Sequence, residues 1–121
     1  MINLIDLTGK TTIRDCMSIL ALADCYVGPN SGLMVISTAL EVPTVGLFGA
    51  FDPKYRTKFY DKFTAVWGKI KCAPCGEHWT ECEKGHIAPC MKSILPLRVE
   101  KEVLALMAKY PRNVFVRKPF V

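Results

Sequence analysis

The sequence predicts an α/β fold, a Rossmann-like three-layer arrangement in which helices cover a small parallel sheet. Two short apolar runs, residues 25–27 and 44–48, flank a segment whose apolar residues recur at helical spacing. The second run is β-branched and apolar with hardly a polar residue, which is typical of a parallel strand buried on both faces. Because a helix joins the two runs, we expect them to lie side by side and parallel.

Length and composition limit the chain to one domain of an ordinary globular kind. It has 121 residues, of which 50% are hydrophobic and 22% charged, and it contains no charge block or low-complexity run. Its apolar stretches are interrupted well before the roughly 20 residues that a membrane span needs. No basic segment followed by an apolar one opens the sequence. We therefore expect a cytoplasmic protein without a membrane span, with peripheral association at the inner membrane surface left open.

A strand and a helix are predicted ahead of the first apolar run. Residues 2–7 are mostly apolar and predict a strand that ends at Thr8. Thr12 begins a helix that extends to about residue 23, with Asp15 three residues on in the manner of a capping box. Its apolar face should pack on the sheet; that face comprises Ile13, Cys16, Met17 and Leu20.

The central helix should begin directly after the strand at residues 25–27. Asn30 or Ser31 can cap it, and Leu33, Ile36 and Leu40 form one apolar stripe. A helix N-terminus at this place directs unpaired N–H groups out of the carboxyl edge of the sheet, where such sheets bind ligands. Gly32 allows a ligand close to the backbone. The alternative is a capped helix on a tight turn that binds nothing.

The remaining segments complete the predicted organisation of one partial domain. Residues 64–67 predict a third strand, and the apolar residues Val99, Val103, Leu106 and Met107 predict a helix after Pro96. We assign residues 1–68 to a βαβαβ core, 69–95 to a cysteine-rich loop, 96–110 to the terminal helix and 111–121 to a tail.

Four cysteines fall close together in the loop between the core and the terminal helix. Cys72, Cys75, Cys82 and Cys90 have the spacing C-x2-C-x6-C-x7-C, with two histidines among them. Four soft ligands at such spacing suit a tetrahedral zinc, and thiolates also hold iron–sulfur clusters. Free or disulfide-linked thiols are the alternative, because only the first pair is closely spaced. A nucleophilic role for Cys72 would need a base beside it, which the sequence does not indicate.

Positive charge is concentrated after residue 49. The net charge is +5, but residues 1–49 carry two basic and four acidic groups, so the remainder carries fourteen basic and seven acidic groups. Such a bias can steer a nucleotide diphosphate, an anionic lipid surface or nucleic acid towards a protein. Solvated Lys and Arg side chains on a loop-rich surface explain the bias more simply than any one of these partners. A nucleic-acid partner would depend on this charge and the cysteines alone, and we do not expect one.

The stretch VGPNSGLMVISTALEVPTVGLFGAFDP, residues 27–53, resembles the signature of the family 9 glycosyltransferases, the lipopolysaccharide heptosyltransferase family. The usual form of that signature is close to V-G-x-D-S/T-G-x-x-H-x-A-x-A-x-x-x-P-x-V-x-L-F-G-x-T-x-P. Residues 5–15 also resemble the strand and helix that precede it, and the cysteine cluster resembles the family's tail. The resemblance covers nearly the whole chain.

The resemblance implies a function and a set of donor-binding residues. Members of this family are inverting transferases of the two-domain GT-B architecture, whose carboxyl-terminal domain binds a nucleotide-diphospho-sugar such as ADP-heptose for lipopolysaccharide or related glycan synthesis. The transfer is expected to need no cofactor. By similarity the donor contacts would come from the Asn30 turn and from the loop before the first helix; they are Lys10, Thr11, Asn30, Ser31, Gly32, Leu33 and Met34.

Three departures from the family pattern leave the activity open. Asn30 stands where the family has an Asp, and Val35 stands where it has a His. The resemblance also covers only the carboxyl-terminal half, without the acceptor-binding domain and its general base. The chain is therefore expected to be a transferase subunit completed by a separately encoded acceptor domain or by a homo-oligomer. The alternative is a non-catalytic nucleotide-sugar-binding or interaction module.

Overall fold

A parallel three-stranded sheet with helices on both faces forms the core of the protein. The computed structural model describes residues 3–75, 82 and 88–112. The strands lie in the order β1-β2-β3, and both pairings are parallel. In chain order the elements are α1 (Ile13–Leu22), β1 (Tyr26–Pro29), α2 (Gly32–Ala39), β2 (Thr44–Phe48), α3 (Lys54–Thr57), β3 (Phe63–Trp67), α4 (Pro89–Lys92) and α5 (Pro96–Lys109). The predicted α/β class is confirmed.

The central strand, β2, is buried because helices cover both of its faces. Thr44 faces α2, where its hydroxyl meets that of Ser37. One residue along, Val45 faces the opposite side and joins a core cluster with Val66 of β3 and Leu106 of α5. Side chains of a strand alternate between faces, so one short run of residues serves two separate helices. This arrangement gives the three layers expected from the sequence.

The predicted strand at residues 2–7 does not form. Residues 3–7 have no regular structure, and Leu4 and Ile5 are 89% and 76% exposed. A strand needs a neighbour for its backbone hydrogen bonds, and within the described residues β1 pairs only with β2. The core of residues 1–68 therefore lacks its first expected strand, and Ile2 lies outside the described residues.

Two helical faces differ from the prediction. Helix α1 packs mainly against α2, and Ile13 remains 59% exposed. On α2 the fully buried residues are Met34 and Ser37, whereas Leu33 is half-buried together with the rest of the predicted stripe. Met34 reaches the sheet because Gly46 leaves space beneath it: a Cβ on Gly46 would lie 3.0 Å from the Met34 Sδ.

The segments after β2 contain two short helices that the sequence did not predict. Helices α3 and α4 each have four residues, too few to show helical periodicity. The terminal helix at Pro96–Lys109 agrees with the prediction, and the tail from residue 113 onward lies outside the described residues. None of the helices in the described ranges combines the length and apolar character that crossing a bilayer requires.

Candidate functional site

The turn between β1 and α2 leaves the N-terminus of α2 without a side-chain cap. Ser31 occupies the N-cap position with extended dihedral angles, φ −147° and ψ 173°, but its hydroxyl makes no capping hydrogen bond. The first intrahelical bond runs from the Val35 N–H to the Ser31 carbonyl at 3.3 Å. Among the described residues, the structure records no acceptor for the N–H groups of Gly32, Leu33 or Met34. Three donors and the positive end of the helix dipole therefore converge at the carboxyl edge of the sheet.

The space in front of these donors is open. Ser31 and Gly32 are both exposed. A Cβ built on Gly32 would meet nothing within 4 Å among the described residues, so this part of the chain leaves the space beside Gly32 clear. The glycine is not required by its backbone conformation, since its φ is not positive. Its absent side chain leaves room for a ligand beside the backbone.

The other residues predicted at this turn differ in what they present to a ligand. Asn30 and Leu33 are half-buried at the edge of the sheet. Met34 is 0% exposed, and its side chain lies in the core against β2. Met34 can therefore offer a ligand its backbone N–H but not its side chain. Within the predicted set, the N-terminus of α2 therefore contributes hydrogen-bond donors through its backbone N–H groups rather than through the side chains of Leu33 and Met34.

The predicted loop contacts, Lys10 and Thr11, are engaged within their own segment. Lys10 Nζ donates to the carbonyl oxygen of Asp6 at 3.0 Å, and Thr11 Oγ1 lies 3.2 Å from the Sγ of Cys16. In the part of the chain that the structure describes, no hydrogen bond or ion pair joins this loop to the Asn30 turn. Their contribution to donor binding stays a prediction.

A second loop at the carboxyl edge carries cations that the sequence analysis did not assign to the site. It follows β2, the neighbour of β1, and leads into α3 with Lys54 and Arg56 exposed. Asp52 accepts a hydrogen bond from the Lys54 N–H at 3.0 Å, and its other oxygen lies 3.3 Å from Lys54 Nζ. The hydrogen bond to Asp52 and its negative charge raise the pKa of Lys54. The Asp-Pro-Lys sequence at residues 52–54 was the available signal for this loop.

Two of the four clustered cysteines, Cys75 and Cys90, contact the residues that follow β2. The Cys75 N–H donates to the Ala50 carbonyl oxygen at 2.8 Å, directly after β2. A Cβ on Gly49 would lie 2.8 Å from the Sγ of Cys90, the buried residue of α4. Partial desolvation raises the pKa of the Cys75 thiol, and charge on Cys90, Cys82 and Cys72 raises it further.

None of these four thiols is in a disulfide. No three His, Cys, Asp or Glu side chains within residues 3–75, 82 and 88–112 form a preassembled metal-ligand set. The histidines of the cluster, His78 and His86, lie outside the described residues.

Comparisons with known proteins agree with one another. The model of glycosyltransferase family 9 (heptosyltransferase) matches residues 2–86. A lipooligosaccharide heptosyltransferase 2 of Campylobacter jejuni subsp. jejuni is 31% identical over 110 residues, covering 84% of this chain and 31% of that protein. The protein of the same name from Haemophilus influenzae is 32% identical over 62 residues, covering 51% of this chain and 18% of that protein. No solved structure matches.

The chain thus spans less than a third of the length of these two relatives. The family match nevertheless covers more than half of the chain, including β1, the open turn and α2. The chain belongs to glycosyltransferase family 9, the heptosyltransferase family.

Proposed function

We propose that the chain is the donor-binding part of a heptosyltransferase-like enzyme of GT-B architecture, and that it binds a nucleoside-diphosphate sugar of the ADP-heptose class. The observation that carries this proposal is the uncapped N-terminus of α2, open to solvent at the carboxyl edge of a parallel sheet. The diphosphate is the part of the donor that suits such a site, because backbone N–H groups and the helix dipole both favour an anion.

The same donors explain how the site would assist transfer. When the glycosidic bond to the nucleotide breaks, negative charge develops on the departing diphosphate. Fixed N–H groups at Gly32 and Leu33 stabilise that charge without reorganising, and such preorganised donors contribute most where water is excluded. Arg56 adds positive charge on the neighbouring loop, where Lys54 is paired with Asp52. The chain's own contribution is binding and leaving-group stabilisation, and the acceptor and its general base belong to the completing domain.

The binding step is tested by thermal denaturation of the 121-residue chain with ADP, UDP and GDP and with their sugar conjugates. We expect ADP and ADP-heptose to raise the melting temperature, because ligand that binds only the folded state stabilises it by mass action. Isothermal titration with the stabilising ligand then gives the affinity. Absence of any shift across the panel at millimolar concentration would contradict the donor-site proposal.

The second candidate function is a binding module that does not catalyse transfer. It is favoured by Asn30, a neutral amide in place of the family's Asp, and by Val35, which is 44% exposed and cannot act as an imidazole. Both candidates predict nucleotide binding, so turnover separates them. Sugar transfer that appears when a separately expressed acceptor-domain protein is added supports the transferase subunit. Tight donor binding with no transfer in any such mixture supports the module.

A further inference from the structure

Two aromatic side chains are exposed one helical turn apart at helix α3. Tyr55 is 78% exposed and Phe59 is 87% exposed. The helical backbone continues past the end of α3, because Lys58 keeps right-handed helical dihedral angles and the Tyr60 N–H donates to the Thr57 carbonyl oxygen at 3.1 Å. Residues four positions apart on such a backbone lie on one side. The two rings therefore form one outward-facing apolar pair.

The opposite side of this segment is held against the body of the protein. Pro53 is buried, and its carbonyl oxygen accepts hydrogen bonds from the Thr57 N–H at 3.0 Å and from the Thr57 hydroxyl at 2.9 Å. The Tyr60 ring packs on Phe63 of β3, with the ring centroids 5.5 Å apart. The packing of these neighbours sets the outward direction of the exposed pair.

Positive charge surrounds the exposed aromatic pair. Three exposed basic side chains and no acidic one lie within residues 54–60; they are Lys54, Arg56 and Lys58. The nearest acidic groups in sequence are Asp52, which pairs with Lys54 at 3.3 Å, and the exposed Asp61. Among the described residues, neither Arg56 nor Lys58 forms an ion pair. The surface therefore combines exposed aromatic area with positive charge that no carboxylate neutralises.

This combination matches the surface of an anionic lipid bilayer. Aromatic rings are favoured at the level of the lipid headgroups, and exposed Lys and Arg side chains are attracted to anionic lipids. Nucleic acid fits less well, because bases need ring faces on which to stack. Lys54 Nζ lies 4.9 Å from the centroid of the Tyr55 ring, and Lys58 Nζ lies 5.8 Å from that of Phe59. An ammonium group thus already covers one face of each ring.

We infer that Tyr55, Lys58 and Phe59 are the centre of a surface that docks reversibly on anionic membranes. The two rings enter the headgroup layer, and the neighbouring cations are attracted to the lipid phosphates. No covalent bond forms or breaks in this contact. Docking is separate from the proposed nucleotide binding, because Lys58 and Phe59 lie outside the donor turn.

Vesicle co-sedimentation of the 121-residue chain tests this inference. The vesicles consist of phosphatidylcholine alone or of phosphatidylcholine with phosphatidylglycerol, and each kind is measured at low and at high salt. We expect the chain to sediment with the anionic vesicles at low salt, with binding to the neutral vesicles weaker by at least about tenfold. High salt should reduce the affinity for anionic vesicles, because it screens the charges. No sedimentation with anionic vesicles at low salt would overturn the inference.

Single substitutions locate the surface. Phe59→Ser and Lys58→Gln change exposed side chains and spare the core, and each should weaken binding to anionic vesicles by about fivefold or more. Leu97→Ser and Lys101→Gln are the matched controls, because they change an exposed apolar residue and an exposed cation on α5 and should leave vesicle affinity unchanged. Melting temperatures establish that all four variants are folded.

Equal vesicle affinity in all four variants would refute the assignment. Affinity for a single-stranded oligonucleotide that Phe59→Ser abolishes, without any binding to vesicles, would also refute it and would assign the surface to nucleic acid.

Discussion

The hydroxyl oxygens of Ser37 and Thr44 lie 2.9 Å apart, fully buried between α2 and β2. Ser37 Oγ also lies 2.7 Å from the Met34 carbonyl, and Thr44 Oγ1 lies 2.8 Å from the Val42 carbonyl. Two hydroxyl protons thus serve three short contacts, and either oxygen can donate to the other. This pair fixes the helix that carries the proposed donor site against the central strand.

Replacing both hydroxyls of the buried pair should destabilise the protein by less than the sum of the two single replacements. Ser37→Ala and Thr44→Val each leave the partner hydroxyl with one contact fewer, at a cost of about 1–3 kcal/mol. In the double variant neither hydroxyl is left without its partner, so its loss should be smaller than the sum of the single losses. Urea denaturation of the four proteins measures the coupling. Additive losses would show that the two hydroxyls act independently.

Gly32→Ala should separate ligand binding from folding. A Cβ at this position meets no protein atom, and alanine forms helix better than glycine, so the free energy of unfolding should stay the same or rise by up to about 1 kcal/mol. The new methyl group would stand where the diphosphate approaches, so nucleotide affinity should fall at least about tenfold, or 1.4 kcal/mol. Melting temperature and calorimetric titration measure the two effects. Unchanged affinity would place the ligand elsewhere.

Acid should weaken the N-terminus of α1. The Thr12 N–H donates to Asp15 Oδ2 at 2.8 Å and the Thr12 hydroxyl lies 2.7 Å from the same oxygen. The backbone bond first, and the hydroxyl second, hold the pKa of Asp15 below its ordinary value of 3.8. A lowered pKa in the folded state stabilises the protein above pH 3.8, and that stabilisation disappears as the pH falls through the folded pKa.

Asp15→Asn should therefore reduce the loss of stability between pH 5 and pH 2, roughly the range over which a carboxylate with a lowered pKa acts. Thr12→Ala removes the cap from the other side and should cost about 1 kcal/mol at neutral pH. Glu100→Gln, an exposed carboxylate on α5, is the matched control. Chemical denaturation at a series of pH values measures these differences. Identical pH profiles for Asp15→Asn and the parent protein would rule out this role of the capping box.

Gly68→Ala should disturb the packing of α4 on the sheet. An added Cβ would overlap the Cys90 carbonyl oxygen and lie 2.9 Å from the Ser93 Oγ. Because the obstacle is backbone, α4 must shift, and we expect a loss of about 1–3 kcal/mol. Gly32→Ala provides the matched control, since it adds the same methyl group into open space. Equal stability of the two variants would show that α4 adjusts freely.

The sequence predicted the elements whose evidence is local. Residues 44–48 have the composition of a buried strand and are one, and the capping box at Thr12 is present with both of its hydrogen bonds. The sheet-facing side of α2 was predicted wrongly, because Ser37 is polar and its buried partner lies seven residues away. The strand at residues 2–7 failed for a related reason. Its apolar composition is that of a strand, but pairing depends on a neighbour that composition does not reveal.

For the candidate site, too, the features with local sequence evidence were predicted, and those that depend on another element of the fold were not. The turn at Asn30 was identified from its glycine and capping residues, and the structure adds that the N–H donors that follow it have no acceptor within residues 3–75, 82 and 88–112. The burial of the Met34 side chain depends on Gly46, a residue of another element, so helical spacing alone did not reveal it. The convergence of Cys75 and Cys90 on residues 49–50 is likewise a property of the folded chain.

The outer edge of β1 is unpaired within the described residues, so a further strand could extend the sheet on that side. The side chain of Val27 in this strand is 42% exposed. On the outer side of β1, the backbone has no strand neighbour among the described residues. An extended segment paired there would cover the exposed side chain of Val27. Because β1 has only four residues and ends in Pro29, which has no N–H to donate, such pairing would be short.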